Sequence, residues 1–170
     1  MKYLHRVVFG IRERTAGVVP DLLIMGLDAS DAEDVIARLA EGLQEAGAVD
    51  ERYAADVIER ERAFPTALPF EDFGFAMPHA QAEHVLRDAV AFARLSRSVP
   101  FRSMAMDGSV VDVEFVMLLA ARDAQQHLRL LQDMLAALQD PAVRERLKAA
   151  QTESDMLAML AGMCPVASNA

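Results

Sequence analysis

The stretches "VDVEFVMLLAA" (residues 111–121) and "DAVAFARLS" (88–96) decide the fold. Both are apolar at almost every position, whereas a strand with one wet face alternates polar and apolar residues. Near-continuous apolar character suits a sheet covered on both faces. Between the two, "MDGS" (106–109) predicts a turn on Asp107-Gly108, and "VPF" (99–101) sits at a strand edge. A sheet of this kind needs helices on either side.

The rest of the chain supplies them. "VVPDLLIMGL" (18–27) reads as a short buried strand. In "LDASDAEDVIARLAEGLQEAGAV" (27–49), Ser30 and Glu33 stand three apart as a capping box, and Val35, Ile36, Leu39 and Leu43 recur at helical spacing. Gly47 is the expected C-terminal stop. "DERYAADVIERERAF" (50–64) predicts a second helix, capped by Asp50, with Tyr53, Val57 and Ile58 on one face. "QHLRLLQDMLAALQD" (126–140) predicts a third, its stripe formed by Leu128, Leu131, Leu135 and Leu138. Asp140 followed by Pro141 starts a fourth, and Thr152 with Asp155 a fifth. Strands alternating with helices give one α/β domain whose sheet lies between helical layers. It spans residues 19–163, preceded by an arm (1–18) that carries His5 and followed by a flexible tail (164–170).

The chain has 170 residues, a formal charge of −9 and a pI near 4.9. Such a surface repels nucleic acid and anionic membranes, and suits a protein partner with a basic face. No run of 18 apolar residues exists, and the charged N-terminal stretch does not read as a signal peptide, so a cytoplasmic protein is expected. One cysteine, Cys164, has no second cysteine for a disulfide or a metal pair.

The chemistry concentrates in "FGFAMPHAQAEH" (73–84), inside a span whose prolines predict a long irregular loop from 65 to 85. Pro78 fixes the chain just before His79. "HAQAEH" is one residue too long for the H-x-x-E-H metal signature, and no third ligand stands nearby, so zinc is not expected. No phosphate-binding glycine loop, nucleophile elbow or placed cysteine occurs. Histidine as a nucleophile remains open beside a purely hydrogen-bonding role. A phosphoryl-accepting imidazole needs its other nitrogen held, donors for the phosphoryl oxygens, and an apolar surround. His127, Arg60 and Thr66 are the candidate donors. Phe64, Phe73, Phe75 and Met77 are the candidate collar. His84 reads as a surface residue that holds Glu83, or as nothing more.

"RERAFPTAL", "FAMPHAQAEHV" and "QQHLRLLQDMLAALQDPAVRERL", in this order and spacing, resemble the type-2 (mannitol/fructose-class) EIIA domain of the bacterial phosphoenolpyruvate-dependent sugar phosphotransferase system. Within it, "ERERAFPTAL" looks most like the galactitol-type branch. The resemblance implies a mixed β-sheet sandwiched between helices and no cofactor. It implies that His79 is phosphorylated on Nε2, that His127 assists transfer, that Arg60 holds phosphoryl charge, and that Glu83 is an acidic neighbour. HPr would be the donor and an EIIB cysteine the acceptor, with the sugar recognised by membrane EIIC. Ala80 and Gln81 depart from the glycine and basic residue of the fructose-class version, which argues against fructose. The alternative implied by the same resemblance is a stand-alone regulator that binds targets according to its phosphorylation state.

Overall fold

The structure, a computed structural model, describes residues 18–163. His5, Cys164 and most of the expected arm and tail lie outside that range. The elements run β1 (Leu22–Leu27), α1 (Ala32–Glu45), α2 (Tyr53–Ala63), β2 (Leu68–Pro69), β3 (Gly74–Ala76), a 3₁₀ turn (Ala82–His84), β4 (Ala89–Arg102), β5 (Val110–Ala120), α3 (Ala124–Gln139), α4 (Pro141–Ala149) and α5 (Glu153–Ala161). The five strands form one mixed sheet in the order β1-β4-β5-β3-β2. β1 lies parallel to β4 and β3 parallel to β5, while β4 and β5 form a long antiparallel hairpin.

Both faces of the central strands are buried, as their composition requires. On one face Ala89, Ala91 and Ala93 of β4, with Val116 and Leu118 of β5, meet Val35, Ile36, Leu39 and Leu43 of α1 and Tyr53 and Val57 of α2. On the other, Phe92, Phe115 and Met117 meet Met134 and Leu138 of α3, Leu147 of α4 and Leu160 of α5. Small side chains on the first face leave room for helices to approach, and large ones fill the second. Along β5 the alternation changes phase between Val113 and Phe115, where the pairing with β4 also shifts register. The hairpin turn contains Met106 (φ 56°) and Gly108 (φ 84°), and Asp107 Oδ1 accepts from the Ser109 amide at 2.9 Å.

Local signals are displaced in three places. The cap of α1 is Asp31, whose side chain accepts from Asp34 N, and Asp34 accepts from Ser30 N at 2.9 Å. The expected box is therefore one residue out: Asp31, whose carboxylate also suits the positive end of the helix, is the cap. Asp50 serves α2 from two residues ahead, accepting from the Arg52 amide at 2.8 Å. The buried stripe of α3 runs through Met134, Ala137 and Leu138, and Leu128 is 55% exposed. This places His127, not Leu128, on the inward side.

The largest departure is the span expected to be a loop. Its middle pairs as β2 and β3, and β3 enters the sheet against β5. Phe73, Phe75 and Met77 are consequently core residues, at 5%, 0% and 3% exposure. Gly74 allows this entry: a Cβ there would lie 2.3 Å from the Asp112 carbonyl oxygen. Gly74→Ala should thus cost about 1–3 kcal/mol of stability by overpacking. Urea unfolding measures this, and an unchanged midpoint would contradict the close approach.

Candidate functional site

β3 runs out of the sheet at Ala76, and the next residues still follow β5. The Leu119 amide donates to the Pro78 carbonyl at 3.2 Å, and His79 bridges Leu119 in parallel register. Beyond β5 the chain turns into α3, capped by Asp123, so His127 occupies the first turns of that helix. The His79 and His127 rings meet edge to face, their centroids 4.6 Å apart and their planes at 82°. Arg60 reaches the same place from the last turn of α2, its guanidinium 5.5 Å over the ring of Phe64.

The two rings differ in how they are held. His79 Nδ1 lies 2.9 Å from the Met77 carbonyl oxygen. A carbonyl can only accept, so Nδ1 carries the proton and Nε2 presents its lone pair. His127 Nε2 is buried with no partner among the described residues. A buried polar atom without a partner costs free energy, so its retention calls for a functional explanation. Burial pushes the His79 pKa below its usual value, with Arg60 adding to the effect and the Met77 bond opposing it. Burial lowers His127 to about 4, helped by His79 and Arg60. Near neutral pH both rings are uncharged, and Arg60 supplies the positive charge.

Thr66 is not a free donor to this site. Its hydroxyl accepts from the Met77 amide at 3.2 Å and donates to Glu61 Oε2 at 2.9 Å. The Thr66 amide donates to Glu61 Oε1, also at 2.9 Å. Of the expected collar only Phe64 is at the surface, 57% exposed, because β3 carries Phe73, Phe75 and Met77 into the core. Leu128, next to His127, adds a second exposed apolar side chain. Phe64 could be found from the sequence as the apolar residue closing α2; the Glu61–Thr66 pair could not, since its signal is only a carboxylate five residues before a threonine.

Glu83 stands elsewhere. It is exposed, in the 3₁₀ turn, and its carboxylate clusters with Asp56 and His84, donor atoms lying within 4.8 Å of one another. This is the one group among the described residues with the composition of a metal site. Both nitrogens of His84 already have carboxylate partners, however, Asp50 at 2.9 Å and Asp56 at 3.3 Å. The Asp50 bond raises the His84 pKa. The imidazole therefore acts as an ion-pair staple that ties the turn to the start of α2. The structure brings His79, His127 and Arg60 together, and Glu83 takes no part in the interactions that set either ring's pKa.

Residues 19–163 match the family model of the phosphoenolpyruvate-dependent sugar phosphotransferase system, EIIA 2. The chain belongs to this family. Among its relatives, the galactitol-specific EIIA component of Escherichia coli (strain K12) is 30% identical over 122 residues, covering 72% of this chain and 81% of that protein. The fructose-specific EIIA component of Haloferax volcanii is 35% identical over 131 residues, covering 74% and 82%. In the solved complex of enzyme IIAMTL and phosphorylated enzyme IIBMTL from Escherichia coli, a chain superimposes with a TM-score of 0.68 at 27% identity, covering 82% of this chain and 94% of that one. As an EIIA domain, the protein is a phosphotransferase component. No helix among the described residues is long and apolar enough to cross a membrane.

The ring environments set opposite titrations. His127, lowered from 6.5 to about 4, should stay neutral by NMR to well below pH 6. Between those values the unfolded chain binds a proton that the folded chain refuses, so its contribution makes stability rise with pH across that window. His84, raised by Asp50, contributes stability that is full below pH 6.5 and lost as pH rises through its folded pKa. A His127 midpoint near 6.5 in the unphosphorylated protein would contradict the burial argument.

Proposed function

We propose that this EIIA domain is a phosphohistidine carrier, with Nε2 of His79 as the acceptor, HPr as the donor and the cysteine of a sugar-specific EIIB as the recipient. The observation that carries the reading is the bare Nε2 of His79, its tautomer set by the Met77 carbonyl, beside the unpartnered Nε2 of His127 and within the field of Arg60. In the forward step the Nε2 lone pair forms the new bond to phosphorus while the bond from phosphorus to the donor breaks. No proton has to leave Nε2, because Nδ1 already holds it. His127, with its Nε2–H turned to the phosphoryl group, donates to one oxygen, and Arg60 offsets the charge on the others. The second step reverses the first, the EIIB thiolate taking phosphorus and the electron pair returning to Nε2. Phe64 and Leu128 form the apolar rim on which either partner is seated. Little is asked of the protein beyond position and charge.

Incubation with phosphoenolpyruvate, enzyme I and HPr should add one acid-labile phosphoryl group. His79→Ala should abolish it, and retained labelling in that variant would overturn the assignment. His127→Ala should still label but pass the group to EIIB about 100–1,000 times more slowly, the range expected for loss of a transition-state donor. A protein that labels normally yet transfers to no EIIB would favour the regulatory role, in which targets are bound according to phosphorylation state.

A further inference from the structure

The peptide between Met77 and Pro78 is the one whose oxygen holds His79. Because Pro78 has no N–H, that peptide cannot be pinned through its own donor. Its orientation must come from its flanks. On the far side Leu119 of β5 fixes the Pro78 carbonyl. On the near side the Met77 amide donates to Thr66 Oγ1. That amide can only donate, so the hydroxyl must accept there, and its own proton is left for Glu61. Glu61 is 8% exposed and both its oxygens are taken by Thr66. A buried carboxyl with no role beyond one threonine is an expensive way to order a surface loop. Burial pushes its pKa up and the two Thr66 donors oppose the rise.

α2 stands behind both restraints: its Glu61 accepts from Thr66, and its Tyr53 bonds Leu119, the residue whose amide holds the Pro78 carbonyl. The Tyr53 hydroxyl, buried, donates to the Leu119 carbonyl. Glu61 sits one turn-third beyond Arg60 on the same helix. α2 therefore carries the cation of the site and a residue behind each restraint, while the restraining groups belong to Thr66 and to Leu119 of β5.

We propose that Glu61 and Thr66 are positioning residues for phosphoryl transfer: they fix Met77 so that its carbonyl locks the Nδ1–H tautomer of His79 and leaves Nε2 free. This deepens the carrier reading and rests on it for its functional consequence. The tautomer itself does not depend on that reading. If the lock is lost, the neutral ring distributes between its two tautomers, and the Nε2–H form has no lone pair to offer phosphorus. The rate of acceptance then falls while the total capacity, one phosphoryl group, is unchanged.

The experiment is imidazole ¹⁵N NMR on the full chain at pH 7.5, paired with the initial rate and final extent of labelling by HPr. The unmodified protein should show His79 almost wholly as Nδ1–H, and a substantial Nε2–H population there would overturn the proposal without any variant. Thr66→Val and Glu61→Gln should each raise the Nε2–H population and slow labelling about tenfold, as small misplacements of reacting groups do. The final extent should stay at one group. Thr66→Ser, which keeps the hydroxyl, should restore the tautomer and most of the rate. A folded Thr66→Val or Glu61→Gln that is less stable but keeps the tautomer and the rate shows a merely structural role and overturns the proposal. A protein that HPr does not label, but whose tautomer shifts in the variants, refutes the carrier reading and leaves the positioning of His79 established.

Discussion

A strand wet on neither face can leave no backbone group unpaired, and β5 meets that requirement by pairing with β4 on one side and β3 on the other. The second pairing has functional weight. It draws Gly74–Ala76 into the sheet, and the next three residues continue along β5 until His79 bridges Leu119. The same strand then delivers the chain to α3 and His127. Two histidines separated by 48 positions meet because one buried strand places both.

Charge is distributed to match. The chain carries −9 overall, but its site is two neutral rings and an arginine. Burial keeps both imidazoles uncharged, which is the state a nucleophile needs. Several acidic residues are engaged with other partners: Asp50 and Asp56 bond to His84, and Glu61 bonds to Thr66. Glu83, expected beside the nucleophile, joins the His84 cluster.

The two-sided sheet and all five helices were legible because continuous apolar strands and cap residues act locally. Asp140 with Pro141 and Thr152 with Asp155 mark real helix starts. β2 and β3 were hidden, since two and three residues bear no period, and their pairing is imposed by β5 rather than by their own composition. That concealment also misplaced Phe73, Phe75 and Met77 on the surface. Leu128 misled for another reason: four leucines at helical spacing outweighed the phase set by Met134 and Ala137. His79, His127 and Arg60 were legible from a family resemblance, whereas the Thr66 contacts depend on backbone positions that no spacing rule encodes.

The exposed ring of Phe64, with Arg60 lying over it, has an effect on timing. In the free protein Arg60 is only half-buried and the ring beneath it is open to water, which screens charge. A partner that covers Phe64 displaces this water as it docks. On the proposed role of Arg60, its pull on phosphoryl oxygens is strongest during the encounter and weaker once the partner departs. The domain's grip on its cargo is thereby coupled to contact, which suits a molecule whose task is to hand the group on rather than keep it.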